Sequence, residues 1–180
     1  YPKQKRSVNF LLIIDLQIII MSSINAVNNK PNDIILKLLK DIVELWHDEQ
    51  YQKVTEQCVA ILQRKKTIEK LNLTVPLQRL LLQGWIRQDK YEKVLEWASS
   101  ATSTSSCADL FMYALYRTGD YMNVSKQSAV AATGDEDDKT ALFRNLHAQA
   151  EFHLNHAEES LVLYRDLLLD IDRKSTRLNS

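Results

Sequence analysis

Residues Leu80 to Trp97 read LLLQGWIRQDKYEKVLEW, and this stretch decides the fold. Leu81, Leu82, Trp85 and Ile86 recur at helical spacing, and Tyr91, Val94, Leu95 and Ala98 resume it after the polar break at Gln88-Asp89-Lys90-Tyr91. The pattern predicts one helical hairpin, two amphipathic helices joined by a tight turn.

The pattern recurs on both sides. Leu38 to Leu62 turns at Asp48-Glu49-Gln50-Tyr51, followed by Val54, Cys58 and Ile61. Leu110 to Ala132 turns at Thr118-Gly119-Asp120-Tyr121, with Val124 and Ser128 behind it. Leu142 to Leu169 turns at Leu154-Asn155-His156-Ala157 and continues through Ser160, Tyr164 and Leu167. The aligned residues Tyr51, Tyr91, Tyr121 and Ala157 lie 40, 30 and 36 positions apart, bracketing the tetratricopeptide period of about 34. A lone hairpin cannot bury both apolar faces, whereas stacked neighbours share one core.

The expected fold is therefore all-α: a tetratricopeptide-like right-handed solenoid of about four helical hairpins, near 33-63, 75-101, 107-132 and 139-170. The aromatic after each turn is expected to wedge between the two helices of its own hairpin. Three residues later, Val54, Val94, Val124 or Ser160 lets those helices approach. The alanine preferred there is absent, as are a first-helix glycine and a closing proline, so the copies are degenerate.

The ends read differently. Tyr1 to Ile20 has a basic tip and then an apolar run, but the run from Phe10 to Ile20 is interrupted by Asp15 and Gln17 and has no small-residue cleavage site. A spanning helix needs about 20 apolar residues, so no membrane insertion is expected; 1-20 reads as a translated leader ahead of a start at Met21. Asp172 to Ser180 (DRKSTRLNS) matches the translation of a common short-read sequencing adapter, which would leave 21-171 as the native domain.

The whole chain balances 23 basic against 23 acidic residues. Setting aside Lys3, Lys5, Arg6, Arg173, Lys174, Arg177, Asp15 and Asp172 leaves 17 basic and 21 acidic, a net of −4. Nucleic-acid binding usually demands a basic face. Arg64, Lys65, Lys66 and Lys70, in the charged connection from Arg64 to Thr74, read as a solvated helix end. The Ser/Thr-rich run Ser99 to Ser106 reads as a linker, and Asp135 to Asp138 as acidic charge favourable at a helix N-terminus. Two cysteines, Cys58 and Cys107, do not make a disulfide framework, and Cys58 is expected to be a buried, inert thiol.

Catalysis finds little footing. Gly84, Gly119 and Gly134 are isolated, so no phosphate-cradling loop exists, and no nucleophile-base set is identifiable. His147, His153 and His156 lie near Glu151, Glu158 and Glu159, but without an HExxH or paired-cysteine motif they read as surface and groove histidines. No enzyme activity, metal or cofactor is expected.

A helical solenoid instead offers a concave surface lined by the first helix of each hairpin. Counting back from each turn aromatic puts Leu39, Trp46 and His47 there from the first hairpin, and Arg79, Gln83 and Arg87 from the second. The third contributes Asp109, Tyr113, Tyr116 and Arg117, and the fourth Asn145, Gln149, Phe152 and His153. Arginine, amide and aromatic side chains interleaved on one face suit an extended peptide, through planar hydrogen bonds and stacking.

With the hairpins aligned, Leu110 to Tyr121 (LFMYALYRTGDY), Leu146 to Leu154 (LHAQAEFHL) and Leu163 to Leu167 (LYRDL) resemble the N-terminal repeats of the 72-kilodalton subunit of the signal recognition particle. Ala60 to Gln63 and Gly84 to Gln88 fall where similar residues occur in that family's first two repeats, and the resemblance spans roughly Asp33 to Asp170. It implies a cytoplasmic, non-catalytic scaffold whose groove grips the C-terminal part of the 68-kilodalton partner subunit. RNA would be bound by a separate basic segment downstream. The alternative is a generic adaptor subunit of another large complex, using the same groove for a different tail.

Overall fold

The computed structural model describes residues 30-100, 105-131 and 138-178. Among them the chain forms nine α-helices and one short 3-10 helix, with no strand. It divides into two compact units, one ending at Lys90 and one beginning at Tyr91. The first holds α1 (Lys30–His47), α2 (Tyr51–Leu62), α3 (Lys65–Lys70) and α4 (Thr74–Arg87). The second holds α5 (Tyr91–Ser100), the 3-10 helix Ser105–Cys107, α6 (Ala108–Arg117), α7 (Tyr121–Ala131), α8 (Asp138–His153) and α9 (Ala157–Leu178).

Four helices therefore begin at the residues aligned from the sequence: Tyr51, Tyr91, Tyr121 and Ala157. The turns explain why. Two residues before each start the backbone enters the left-handed region, at Glu49 (φ 57°), Asp89 (56°), Gly119 (83°) and Asn155 (65°). In the first turn the Gln50 amide donates to the Leu45 carbonyl at 2.9 Å and the Glu49 amide to Trp46 at 3.1 Å. The same paired bonds close the other three turns, so each first helix ends by satisfying its orphan carbonyls. At Asp120 the side chain also accepts the Asn123 amide, capping α7.

In the first unit α2 packs on α1 and on α4, and α3 touches both α2 and α4. Ile35, Leu39, Ile42 and Trp46 of α1 recur every three or four residues, and their stripe is buried with Val54, Cys58 and Ile61 of α2 and Leu77, Leu80 and Leu81 of α4. In the second unit each helix packs on the next, α5 on α6 through to α8 on α9, and α6 also meets α8. Met112, Val124, Phe143, Leu146 and Ala150 form a core there, and Trp97 stacks on Phe111 at 5.9 Å between α5 and α6.

Val54, Val94, Val124 and Ser160 are all buried, as their position after the turn requires. Ser160 reconciles its hydroxyl with burial by donating to the Ala148 carbonyl at 2.8 Å. Cys58 and Cys107 are buried thiols that form no disulfide, and burial pushes the Cys58 thiol up to about 12, which makes it inert.

Several expectations change. The charged connection Arg64 to Thr74 contains α3, because Ile68 and Leu73 give it an apolar side that joins the core. Trp46 and Leu39, expected on a groove, belong to the first unit's core. Tyr51 and Tyr121 wedge edge-on against Trp46 and Tyr116 of their own hairpins, at 5.2 and 5.6 Å, but Tyr121 also stacks on His153 of α8, and Tyr91 reaches Tyr113 of α6. The hairpin read at Leu80 to Trp97 appears as α4, a turn and α5, its helices belonging to different units. The leader at 1-20, residues 101-104 of the Ser/Thr linker and 135-137 of the acidic run lie outside the described residues, whereas α9 continues past 171 to Leu178. Among the described residues no helix is long and apolar enough to cross a membrane.

Candidate partner-binding surface

The most concentrated set of accessible recognition groups lies in the second unit, where the last turns of α6 and α8 carry Tyr113, Tyr116, Arg117, Phe152 and His153. Helical spacing puts Tyr113 and Arg117 one turn apart, and the Arg117 guanidinium donates to the Tyr113 hydroxyl at 2.9 Å. That guanidinium lies over the Tyr91 ring, 4.8 Å from its centroid, and 5.8 Å from that of Tyr113. Two rings thus hold a planar cation whose outer side remains exposed.

Next to it, His153 stacks on Tyr121 at 4.3 Å with the rings 7° from parallel. Its Nε2 is 3.2 Å from the Tyr116 hydroxyl, and Tyr116 in turn meets Tyr121 edge-on at 5.6 Å. Burial, then Tyr121, Tyr164 and Tyr113, push the Tyr116 phenol above its ordinary value of 10.0, with Arg117 acting the other way. The hydroxyl therefore stays protonated at neutral pH, able to donate or accept. Phe152 abuts His153 at 5.9 Å and is 63% exposed.

Of the residues expected on this face, the structure brings together Tyr113, Tyr116, Arg117, Phe152 and His153. Asn145 and Gln149 form their own pair on α8, with the Gln149 amide donating to Asn145 at 3.1 Å. Asp109 is half-buried on α6, one turn before Tyr113. In the first unit, Arg79 and Arg87 are half-buried on α4, and His47 is exposed at the end of α1. Gln83 is buried, and its Oε1 has no hydrogen-bond partner among the described residues.

Trp46 is the clear correction: at 5% exposed it presents almost nothing to a ligand. Phe152 occupies the equivalent position, five residues before its aligned residue, yet stays open. Trp46 has the Tyr51 ring to lean on, whereas Ala157 replaces that tyrosine in the fourth hairpin. Two members of the cluster, Tyr91 and Tyr121, are expected from the sequence only as turn wedges. The signal for their second role is their place at a helix start, where a side chain can reach the first helix that follows.

Comparisons with protein families, curated proteins and solved structures give no match to this chain. Its class rests on the helices and turns themselves: an all-α protein built from helical hairpins.

Proposed function

We propose that this chain is a non-catalytic protein-binding scaffold, a tetratricopeptide-like solenoid that holds an extended peptide against the first helices of its hairpins. The observation that carries the reading is Arg117 over Tyr91 and Tyr113, flanked by the Tyr116, Tyr121 and His153 cluster. Rings and a pre-oriented guanidinium are the groups that dominate protein interfaces, because they bring large contact area at little entropic cost. The resemblance of LFMYALYRTGDY and LYRDL makes the N-terminal domain of the 72-kilodalton signal recognition particle subunit the specific form of the proposal. Its role would be cytoplasmic, gripping the 68-kilodalton subunit in co-translational targeting to the endoplasmic reticulum, with RNA met only through other sequence. The acidic balance of 21-171 favours a protein partner over RNA.

Calorimetric titration of the chain with the C-terminal region of the 68-kilodalton subunit tests this. One-to-one binding is expected, weakened about tenfold or more by Arg117→Ala or Tyr113→Ala. Absence of binding by demonstrably helical protein removes the subunit assignment. Binding that both substitutions leave untouched removes the surface. The second reading is a generic adaptor for another tail, and the cluster favours it equally, because its chemistry selects planar and anionic groups rather than one sequence.

A further inference from the structure

The geometry points to a zinc-binding site formed by Glu151, His156 and Glu159 at the turn between α8 and α9. One oxygen or nitrogen from each of the three lies within 4.8 Å of the others. The turn makes this possible: Glu151 sits in the last turn of α8, Asn155 reverses the backbone in the left-handed region, and His156 and Glu159 follow immediately. His156 Nδ1 is 2.6 Å from Glu151 Oε2 and 3.5 Å from Glu159 Oε2.

Zinc holds nitrogen and oxygen ligands at about 2.0–2.2 Å, which sets the edges of its tetrahedron near 3.3–3.5 Å. The His156–Glu159 separation already has that length. The shorter His156–Glu151 contact is a hydrogen bond, and it opens by less than about 1 Å when the cation replaces the Nδ1 proton. With zinc on Nδ1 the ring is a neutral imidazole whose one proton sits on Nε2: an imidazolium gives its Nδ1 proton to solvent, and a neutral ring shifts its proton from Nδ1 to Nε2.

The carboxylate is held for this role. Glu151 is buried, Ser125 of α7 donates to its Oε1, and His147 Nε2 lies 3.4 Å from the same oxygen, so Oε2 is left facing His156. Partners of this kind orient a ligating carboxylate and sharpen metal affinity. An imidazole nitrogen and two carboxylate oxygens are all ligand types that zinc takes. The exposed side chains of His156 and Glu159 leave an entry path and a fourth position for water. A single-helix motif would miss the site, because its ligands straddle the turn with the spacing Glu-x4-His-x2-Glu. His153, the other histidine of this stretch, is instead committed to Tyr121.

The test uses untagged, reduced, full-length chain titrated with zinc chloride against a chromogenic indicator, with X-ray absorption on the complex. The expected result is one equivalent of zinc, nitrogen and oxygen neighbours only, and a thermal midpoint that rises with zinc. His156→Ala and Glu159→Gln change exposed side chains, so they should keep the helical signal while lowering affinity at least about tenfold. Ser125→Ala should weaken binding by up to about tenfold through Glu151, and Glu158→Gln should leave it unchanged. No binding up to about 0.1 mM zinc, sulfur in the coordination sphere from Cys58 or Cys107, or unchanged affinity in His156→Ala overturns the site.

Discussion

Thr55 and Ser125 occupy the same place in two hairpins, four residues after Tyr51 and Tyr121, and each faces the next hairpin's first helix with opposite chemistry. In the first unit Thr55 meets Gly84, where an added Cβ would lie 2.5 Å from Thr55 Cγ2. In the second unit Ser125 meets Glu151, a buried carboxylate that also holds His156. The helix pairings correspond, but one contact is close steric fit and the other a polar knot. The two helix pairings keep the same register while the side chains at the contact differ, each contact being locally satisfied.

The largest expected effect breaks the steric half. Alanine is the better helix former by about 1 kcal/mol, yet Gly84→Ala should destabilise the protein by about 2–3 kcal/mol, the cost of overpacking a close contact. Thr55 cannot easily turn away, since its hydroxyl donates to the Gln52 carbonyl at 2.8 Å and its branched Cβ is stiff. Thr55→Ser removes the offending methyl, so the double variant should recover most of the loss. Urea unfolding of the four proteins in the cycle measures this; equal losses in the single and double variants would show that the helices simply move apart.

The polar half should respond to pH. Burial pushes the Glu151 carboxyl up, but hydrogen bonds from Ser125 and His156 and the charges on His147 and His156 outweigh it, holding the group below its ordinary value of 4.5. A depressed carboxyl contributes stability that is fully present above its unfolded value and is lost as pH falls through the folded one. Glu151→Gln should therefore cost about 1–2 kcal/mol at neutral pH, and the gap from the native protein should close on acidification below about pH 4.5. A gap independent of pH would mean that Glu151 acts through packing rather than charge. Gly84→Ala, with no titrating group at its contact, should show no comparable closure.

These two contacts also mark how far the sequence could be read. The helix starts at Tyr51, Tyr91, Tyr121 and Ala157 were legible because an apolar stripe stops and restarts at each turn. The third helix, Lys65–Lys70, was not, because its single buried side chain, Ile68, has no periodic partner within so short a segment. At the candidate surface, Tyr113, Tyr116, Arg117, Phe152 and His153 follow from counting back along a helix, since the period fixes the face. Trp46 did not follow, because whether a ring at that position is covered depends on the residue beginning the next helix. Gln83 and Glu151 show the same limit: a polar residue is written alike whether it ends in solvent or in a buried contact.

A smaller effect is expected in the turns, where the comparison should vanish. Glu49 and Asp89 hold left-handed conformations that cost a side-chain-bearing residue about 1 kcal/mol relative to glycine. Gly119 occupies the equivalent position in the third hairpin. Glu49→Gly and Asp89→Gly should each stabilise by about 0.5–1 kcal/mol, and Gly119→Ala should destabilise by a similar amount. Thermal midpoints of the three variants check the signs together. Stabilisation by Gly119→Ala would mean that this turn abandons the left-handed conformation in solution.

The smallest effect extends the comparison to a third site. Leu161 lies four residues after Ala157, as Thr55 and Ser125 lie after their tyrosines, but it is 71% exposed. With little area to lose, Leu161→Ser should change stability by less than about 0.5 kcal/mol, against the 2–5 kcal/mol typical of truncating a buried leucine. Denaturant unfolding at two protein concentrations separates the outcomes. A small, concentration-independent change fits an open face on α9. A loss of core size that grows as the protein is concentrated would show Leu161 buried against another copy, filling the position that Gly84 and Glu151 fill for the earlier hairpins.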